Sequence, residues 1–435
     1  MAFLDGFTPQ TAAALAASEP DWLAATRTAA AAQFADVPYP TTRGEEDWRR
    51  LDLRRINFDR VAKLTPASAN GLLPSAVARD ELAGHLALRA GQPTELWLAP
   101  EWAEQGVILT TLGAAAQQHP ELVREWLWRG SIPTDEGKFT LLNAAFWTSG
   151  YFLYVPRGVR IEGTVLVDIG FESGTLAHHG LAVVEEGASL HLVEEFEAEA
   201  ATGLSVPVTE VYAESRSEVV YASLQAWPDT VHEVGYKRIH AEQDAHATMV
   251  CAHLGGKLVK EFIGAGMAGR GAEIHLLGIA FPTAGQQLDQ STYQDHEAGG
   301  CHSNLRFLAA VGDQGRTNFR GVINVHKDAQ GTDAYQKNET ILLGDKARAD
   351  SLPVLEILAD DVKCSHGATL AQIDAEDLFY LMSRGLNRTT AQRLIIEGFF
   401  DSVIASVPDE AVRQRLHDAV VRRIDAQAAR HGGTL

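Results

Sequence analysis

Cysteine is scarce in this 435-residue chain: Cys251, Cys301 and Cys364 stand far apart. An odd, sparse set makes a poor disulfide framework and suits a reducing compartment, so a cytoplasmic location is expected. No Cys-x-x-Cys pair occurs, so the chain is not expected to close a four-cysteine zinc or iron–sulfur site by itself. Basic residues are in deficit, 37 Lys and Arg against 57 Asp and Glu, a formal charge of −20. Phosphate backbones and anionic lipids call for a basic face, so nucleic acid and membrane surfaces are not the expected partners. Long apolar runs are missing. The alanine runs at 12–17 and 29–32 are short and broken by polar residues, and nothing approaches the ~18 apolar residues of a membrane span. The first residues carry neither the basic start nor the apolar stretch of a secretion signal. A phosphate loop, a Gly-x-Ser-x-Gly elbow, a His-Glu-x-x-His pair and a dinucleotide fingerprint are all missing, so nothing argues for an autonomous enzyme.

What is present is 46% hydrophobic residues, enough for a sizeable core. Thr8-Pro9 is a helix start, with proline in the first turn. Val37-Pro38-Tyr39-Pro40 breaks the helical pattern, and Trp48 is expected to tuck against the core. Glu95–Leu98 and Gly106–Leu109 read as strands, and Pro120–Leu127 as a helix. Residues 1–135 are therefore expected to form a mostly helical domain.

From Lys138 the texture changes. A small turn residue, one or two polar residues and a β-branched run recur at Gly158, Gly187, Ser217, Ala245, Gly271, Gly315 and Gly344. The steps are 29, 30, 28, 26, 44 and 29 residues. A near-constant step within about 20–50 residues marks a solenoid. With β-rich units, a β-helix over residues 136–370 fits best, and a sandwich of antiparallel hairpins is the rival. The long step after Gly271 predicts an insertion. A stack of coils has two open strand edges, which must be capped or used for binding, and the tail over 371–435 offers a cap. Asp374 caps its first helix and Gly385 ends it. Thr389 caps the second, whose apolar stripe is read as Ala391, Leu394, Ile395, Gly398, Phe399, Ser402 and Val403. Pro408 opens the third, with Val412, Leu416, Ala419 and Val420 in its stripe.

Cys364 and His366 are the leading candidates for chemistry. With Val362 they are two apart, so on a strand all three share one face, expected to be interior. A thiolate and a neutral imidazole suit a borderline or soft metal. Two ligands do not close a site, and the spacing alone favours a small buried cysteine beside a hydrogen-bonded core histidine. Cys301-His302, Asp295-His296 and His178-His179 read as polar positions rather than ligand clusters. Glu194–Glu199 reads as a solvated acidic loop, and the glycine-rich Gly264–Gly269 as a turn.

Several motifs then fall in one order: Lys138-Phe139-Thr140, Leu142-Asn143-Ala144-Ala145-Phe146-Trp147, Tyr154-Val155-Pro156-Arg157-Gly158, Phe319-Arg320-Gly321 and Ala329–Gln336. Lys363-Cys364-Ser365-His366-Gly367, Leu378-Phe379-Tyr380 and Ser383-Arg384-Gly385 follow. Together they resemble the SufB/SufD family of iron–sulfur cluster assembly scaffolds. Asn338 stands where the SufB branch carries a cysteine, and Cys364-Ser365-His366 where it carries an acidic, histidine-bearing motif. Both departures favour the SufD branch.

The resemblance implies a mainly β fold, a right-handed parallel β-helix flanked by N- and C-terminal helical domains. It implies a non-catalytic subunit that pairs with a SufB-like paralogue and binds a SufC-like ABC-type ATPase. The tail would be the ATPase dock, with Leu378, Phe379, Arg384, Leu394 and Phe399 as partner-binding residues. Cys364 and His366 would face SufB and share with it a transient iron–sulfur cluster or iron, His366 being the better ligand. A flavin is left open. The alternative is a structural homodimer of β-helices meeting end to end, without a metal role. A β-helix enzyme acting on polysaccharide would need clustered exterior Asp residues and secretion, and neither is apparent.

Overall fold

The computed structural model describes residues 6–64, 82–130, 132–134 and 136–430. The N-terminal arm contains α1 (Pro9–Ala16), α2 (Asp21–Asp36), two 3₁₀ turns (Glu46–Trp48 and Leu53–Arg55) and α3 (Phe58–Val61). The Thr8 hydroxyl caps α1 by accepting from the Thr11 N–H at 3.1 Å. There follow β1 (Leu82–Arg89), β2 (Gln92–Leu98), α4 (Pro100–Glu104), β3 (Ile108–Thr111), α5 (Leu112–Gln118), α6 (Pro120–Trp126) and α7 (Lys138–Phe146). Strands β1–β3 thus lie within the segment expected to be mostly helical.

Sixteen further strands then run in succession: β4 (Ser149–Val155), β5 (Arg160–Gly170), β6 (Ser173–Val184), β7 (Ser189–Phe196), β8 (Thr202–Ala213), β9 (Glu218–Gln225), β10 (Val231–Ala241) and β11 (His246–His253). After these come β12 (Leu258–Met267), β13 (Glu273–Ala280), β14 (Gln287–His296), β15 (His302–Val311), β16 (Arg316–Val325), β17 (Thr332–Leu342), β18 (Arg348–Ile357) and β19 (Val362–Gln372). They alternate between two parallel sheets. One holds ten strands in the order β19-β17-β15-β13-β11-β9-β7-β5-β1-β2, the other nine in the order β18-β16-β14-β12-β10-β8-β6-β4-β3. This is a parallel β-helix, and the hairpin sandwich is excluded: antiparallel pairing is confined to β1–β2 and β3–β4 at the N-terminal end.

The repeat is visible in the register. Stacked partners are 26 positions apart at His232 and Leu258, 29 at Ser189 and Glu218, and 32 at Arg316 and Arg348. The insertion expected after Gly271 is absent. The next corner of that sheet is Gly300, 29 residues on and at φ +70°, which leads into β15. Gly315 and Gly344 belong to the corners of the other sheet, ahead of β16 and β18. The 44-residue step came from changing sheets. The Gly264–Gly269 stretch is also not simply a turn: Gly264 lies within β12, where the Arg238 side chain crosses so closely that an added Cβ would lie 2.8 Å from it.

Both outer faces of the solenoid are covered by helices, which is why its strands read as near-continuous apolar runs. The N-terminal helices and α7 pack on the nine-stranded sheet through Phe34, Phe139, Phe146, Leu181, Val206 and Tyr236. Trp48 is buried and stacks on Phe139, with 5.6 Å between ring centroids. The tail consists of α8 (Ala375–Ser383), α9 (Arg388–Ile404) and α10 (Glu410–Arg430). It does not cap an open end. Helices α9 and α10 lie across the ten-stranded sheet, burying Ile396, Phe400, Val403, Leu416 and Val420 against Val220, Val250, Ile279 and Leu308. Arg415 pairs with Glu195 at 2.5 Å, and Arg306 donates to the Ser402 carbonyl at 2.8 Å.

Asp374 caps α8, and Gly385 follows it at φ +97°. The cap of α9 is Asn387 rather than Thr389, its side chain accepting from the Thr390 N–H at 2.9 Å. The inward stripe of α9 is Ala391, Gln392, Ile396, Phe400, Val403 and Ile404. Leu394, Gly398 and Ser402 face solvent instead, because the sheet lies on the other side of the helix. Val412, Leu416, Ala419 and Val420 are buried as expected. No helix among the described residues is long and apolar enough to cross a membrane.

Candidate functional site

Strand β19 ends the ten-stranded ladder, with β17 on one side and no described strand on the other. Val362, Cys364 and His366 stack on Thr332, Ala334 and Gln336, all buried inside the solenoid. The three therefore share the inward face, as the spacing predicts. Their shelter differs from the expectation. Cys364 is half-buried and His366 is exposed, because no described coil closes over the last one. Burial raises the Cys364 thiol pKa, the Ala334 N–H opposes that, and Asp333 adds to it. Cys364 is thus held as a thiol, and a bound metal would displace its proton.

A residue rise of about 3.3 Å separates Cys364 and His366 by only ~7 Å along the strand. Their donor types fit iron. They do not complete a site: the described residues contain no group of three or more His, Cys, Asp and Glu that could hold a metal ion. Beneath them, Gln336 is fully buried, donating to the Gly321 carbonyl at 3.3 Å and leaving its own Oε1 without a partner. Asn338, one coil below Ala368, is buried and donates to the Phe307 carbonyl at 3.2 Å.

Apolar side chains surround this open end. Leu358 is 70% and Leu370 56% exposed, and Ile357 and Tyr335 are exposed as well. On the tail, Phe379 is 73% exposed, and Tyr380, Met382 and Leu394 are also exposed. The Arg384 guanidinium lies 5.2 Å from the Tyr380 ring centroid. Of the other candidate partner residues, Leu378 is buried and Phe399 is half-buried against Phe400, 5.4 Å between centroids.

The remaining candidates are structural. Cys301 is buried and donates to the Gly269 carbonyl at 3.3 Å, while His302 faces out. His296 is bonded to Ser303 at 2.8 Å, and burial depresses its pKa to about 4. His178 bonds to Ser149 at 2.9 Å, and His179 bridges Asn143 and Glu210 at 3.0 Å each. The acidic stretch is not simply a solvated loop. Glu194 points inside from β7 and accepts from Tyr221 at 2.5 Å.

Sequence reading missed the group that Glu194 belongs to. Lys237 and Glu261 form a fully buried ion pair. Glu233 accepts from Trp227 at 2.6 Å and Ser205 at 2.8 Å, and Gln290 bonds His253 at 2.9 Å. Burial raises the Glu194 and Glu233 pKa values. Burial also opposes the ionised forms of Glu261 and Lys237, but each is held charged by the other: Glu261 is shifted down and Lys237 up. The signal was available, since Lys260-Glu261 interrupts the apolar run from Leu258 to Ile263.

Comparison with known proteins agrees with this architecture. The family model for the SufBD protein N-terminal region matches residues 95–167, and that for the SUF system FeS cluster assembly SufBD core domain matches residues 169–399. The chain is 26% identical over 414 residues to the iron–sulfur cluster assembly protein SufB of Bacillus subtilis (strain 168), covering 90% of this chain and 87% of the relative. It is equally similar, over the same shares, to an iron–sulfur cluster assembly SufBD family protein of Staphylococcus aureus (strain USA300). A SufBD family protein of Staphylococcus haemolyticus (strain JCSC1435) is 26% identical over 413 residues. With the core-domain match spanning more than half its length, this chain belongs to the SufBD family of iron–sulfur cluster assembly proteins of the SUF system.

Proposed function

We propose that this chain is the SufD-type subunit of an iron–sulfur cluster assembly scaffold. It pairs end to end with a SufB-like paralogue and carries a SufC-like ABC-type ATPase on its tail, in the cytoplasm. The observation that carries the reading is the half-site: Cys364 and His366 share the inner face of the last coil, beside an unpaired strand edge and exposed Leu358 and Leu370. An open edge takes up another strand through backbone hydrogen bonds, and apolar side chains around it add burial. Two soft donors at such an edge are completed by donors from the chain across it. Iron, or the nascent cluster, is the cargo there. His366 is the first contact because it is exposed, and Cys364 binds as its thiol gives up a proton. Asn338 in place of a cysteine supports the SufD branch over the SufB branch. Exposed Phe379, Tyr380, Met382 and Leu394 support a protein partner on the tail. We further propose that the N-terminal unit spans 1–135, the β-helix 136–370 and the docking tail 371–435.

The test is co-expression with a SufB-like and a SufC-like protein. The full chain is expected to capture both, and a chain lacking residues 375–435 to lose the ATPase. A His366→Ala complex of unchanged composition is expected to assemble clusters more slowly; assembly at the parent rate refutes the ligand role. A second copy of this chain fits the same open end. Light scattering of the chain alone reports that homodimer, and its conversion to a mixed complex on adding the paralogue separates the two readings.

A further inference from the structure

Each inward position of the ten-stranded sheet starts a column that runs through the stacked coils. In the column that ends at His366, the residues beneath it are Gln336, Leu305, Leu276 and Met249, all buried. Three coils are apolar there, and the change to an amide comes directly under His366. That amide is fixed in place. Gln336 Nε2 donates to the Gly321 carbonyl at 3.3 Å. A Cβ added to Gly321 would lie 2.5 Å from Gln336 Cδ, Nε2 and Oε1 alike, so the amide lies flat against Gly321 and needs a glycine there. Its Oε1 is buried with no hydrogen-bond partner among the described residues. A buried acceptor without a partner forfeits the bond it would make to water, so its presence calls for a use. The neighbouring column differs. Cys364 stands over Ala334 and has the Ala334 N–H as its partner.

We propose that Gln336 is a positioning residue for His366: its Oε1 accepts the Nδ1–H of the imidazole and leaves Nε2 to meet iron or the nascent cluster. This rests on the reading of His366 as a ligand. A neutral imidazole has one N–H and one lone pair, and the acceptor offered to it decides which nitrogen keeps the proton. Adjacent strands stand about 4.8 Å apart, so side chains of register partners on one face are within reach of each other. Metal-bound histidines commonly give their second N–H to such an acceptor, which sets the ring orientation. Leu305, one coil deeper in the column, has no acceptor to offer. An amide oxygen also fixes the ring without adding a charge beside the Cys364 thiol.

The experiment titrates the full chain, isotope-labelled at the histidine nitrogens, with Zn²⁺ as a diamagnetic stand-in for ferrous iron. Long-range proton–nitrogen spectra then report the tautomer, and the signal missing from His366→Ala identifies His366. In the zinc-loaded parent the proton is expected on Nδ1 and the metal-induced shift on Nε2. Gln336→Leu is expected to lose the fixed tautomer and to weaken Zn²⁺ binding by roughly 10- to 100-fold. Gln336→Glu keeps the acceptor and gives up the donor to Gly321, so it is expected to restore most of the affinity. A merely structural amide predicts the same loss in both variants. The parent spectrum decides the matter even where a variant does not fold. Zinc on Nδ1 with the proton on Nε2 overturns the proposal. So does unchanged affinity in Gln336→Leu with native circular dichroism, or equal loss in Gln336→Leu and Gln336→Glu. A His366→Ala chain that binds Zn²⁺ like the parent removes the ligand reading itself, and the positioning role with it. A weakened His366→Ala beside an unchanged Gln336→Leu removes the positioning role alone.

Discussion

Lys237→Met takes the ammonium out of a group in which Lys237, Glu261, Glu233 and Glu194 are all fully buried. Removing one partner of a buried ion pair costs about 3–5 kcal/mol, because the remaining charge is left in a poor dielectric. Glu261 has a way out, which is to take up a proton. At pH 7 that costs about 3.4 kcal/mol from an ordinary glutamate pKa, at 1.36 kcal/mol per pH unit. The cost of the orphaned charge in Lys237→Met is therefore capped near that value at pH 7, and the cap falls to roughly 1.4 kcal/mol at pH 5.5. The sign follows from linkage. In the parent, Glu261 has a lowered pKa, so its contribution is present above the unfolded value and lost as pH falls. In the variant the pKa is raised, so stability is lost as pH rises. The gap between the two proteins must narrow on acidification. Urea unfolding followed by circular dichroism at pH 7 and pH 5.5 measures it. Adding Glu261→Leu to Lys237→Met is expected to recover much of the loss, since a paired apolar replacement leaves no orphan charge. A loss below 1 kcal/mol at pH 7, or one that does not change with pH, refutes the reasoning.

Three other outcomes are expected. His178 and His296 are held neutral by burial, with pKa values near 3 and 4, so the folded state loses stability as pH falls from about 6.5 toward 4; His296→Gln should flatten that slope in urea titrations across the window. Phe400→Ala removes a ring buried between α9 and the ten-stranded sheet, 6.1 Å from Phe281, at a cost of about 3–5 kcal/mol. Limited proteolysis should then release the tail first, whereas Phe379→Ala on the exposed side should change stability by less than about 0.5 kcal/mol and still weaken capture of the ATPase. Gly269→Ala places a Cβ 1.9 Å from the Gln243 backbone nitrogen and should lower the urea midpoint or prevent soluble expression, while Gly367→Ala, with nothing within 4 Å of its Cβ, should not.

Much of this architecture is readable without coordinates. Each coil needs a tight corner, and residues such as Gly158, Gly187 and Gly271 mark corners at the coil period. Gly315 misleads a count of coils because corners of the two sheets use the same residue types; nothing local says which sheet a glycine serves. Glu194 misleads in another way. An acidic run looks solvated until a lysine 43 residues later, Lys237, is brought within range to offset the burial.

Whatever is periodic or local can be told from the chain alone: the coil repeat, the Asp374 and Thr8 caps, the helical ends, and the shared face of Val362, Cys364 and His366. Each depends on backbone geometry within a few residues or on a repeat of fixed length. Long-range packing sets which side of α9 meets the sheet, that the tail covers a face and not an end, and that His366 lies open while Gln336 one coil below is sealed. Burial is set by what stacks on a strand. Nothing within β19 itself says that the stack stops there.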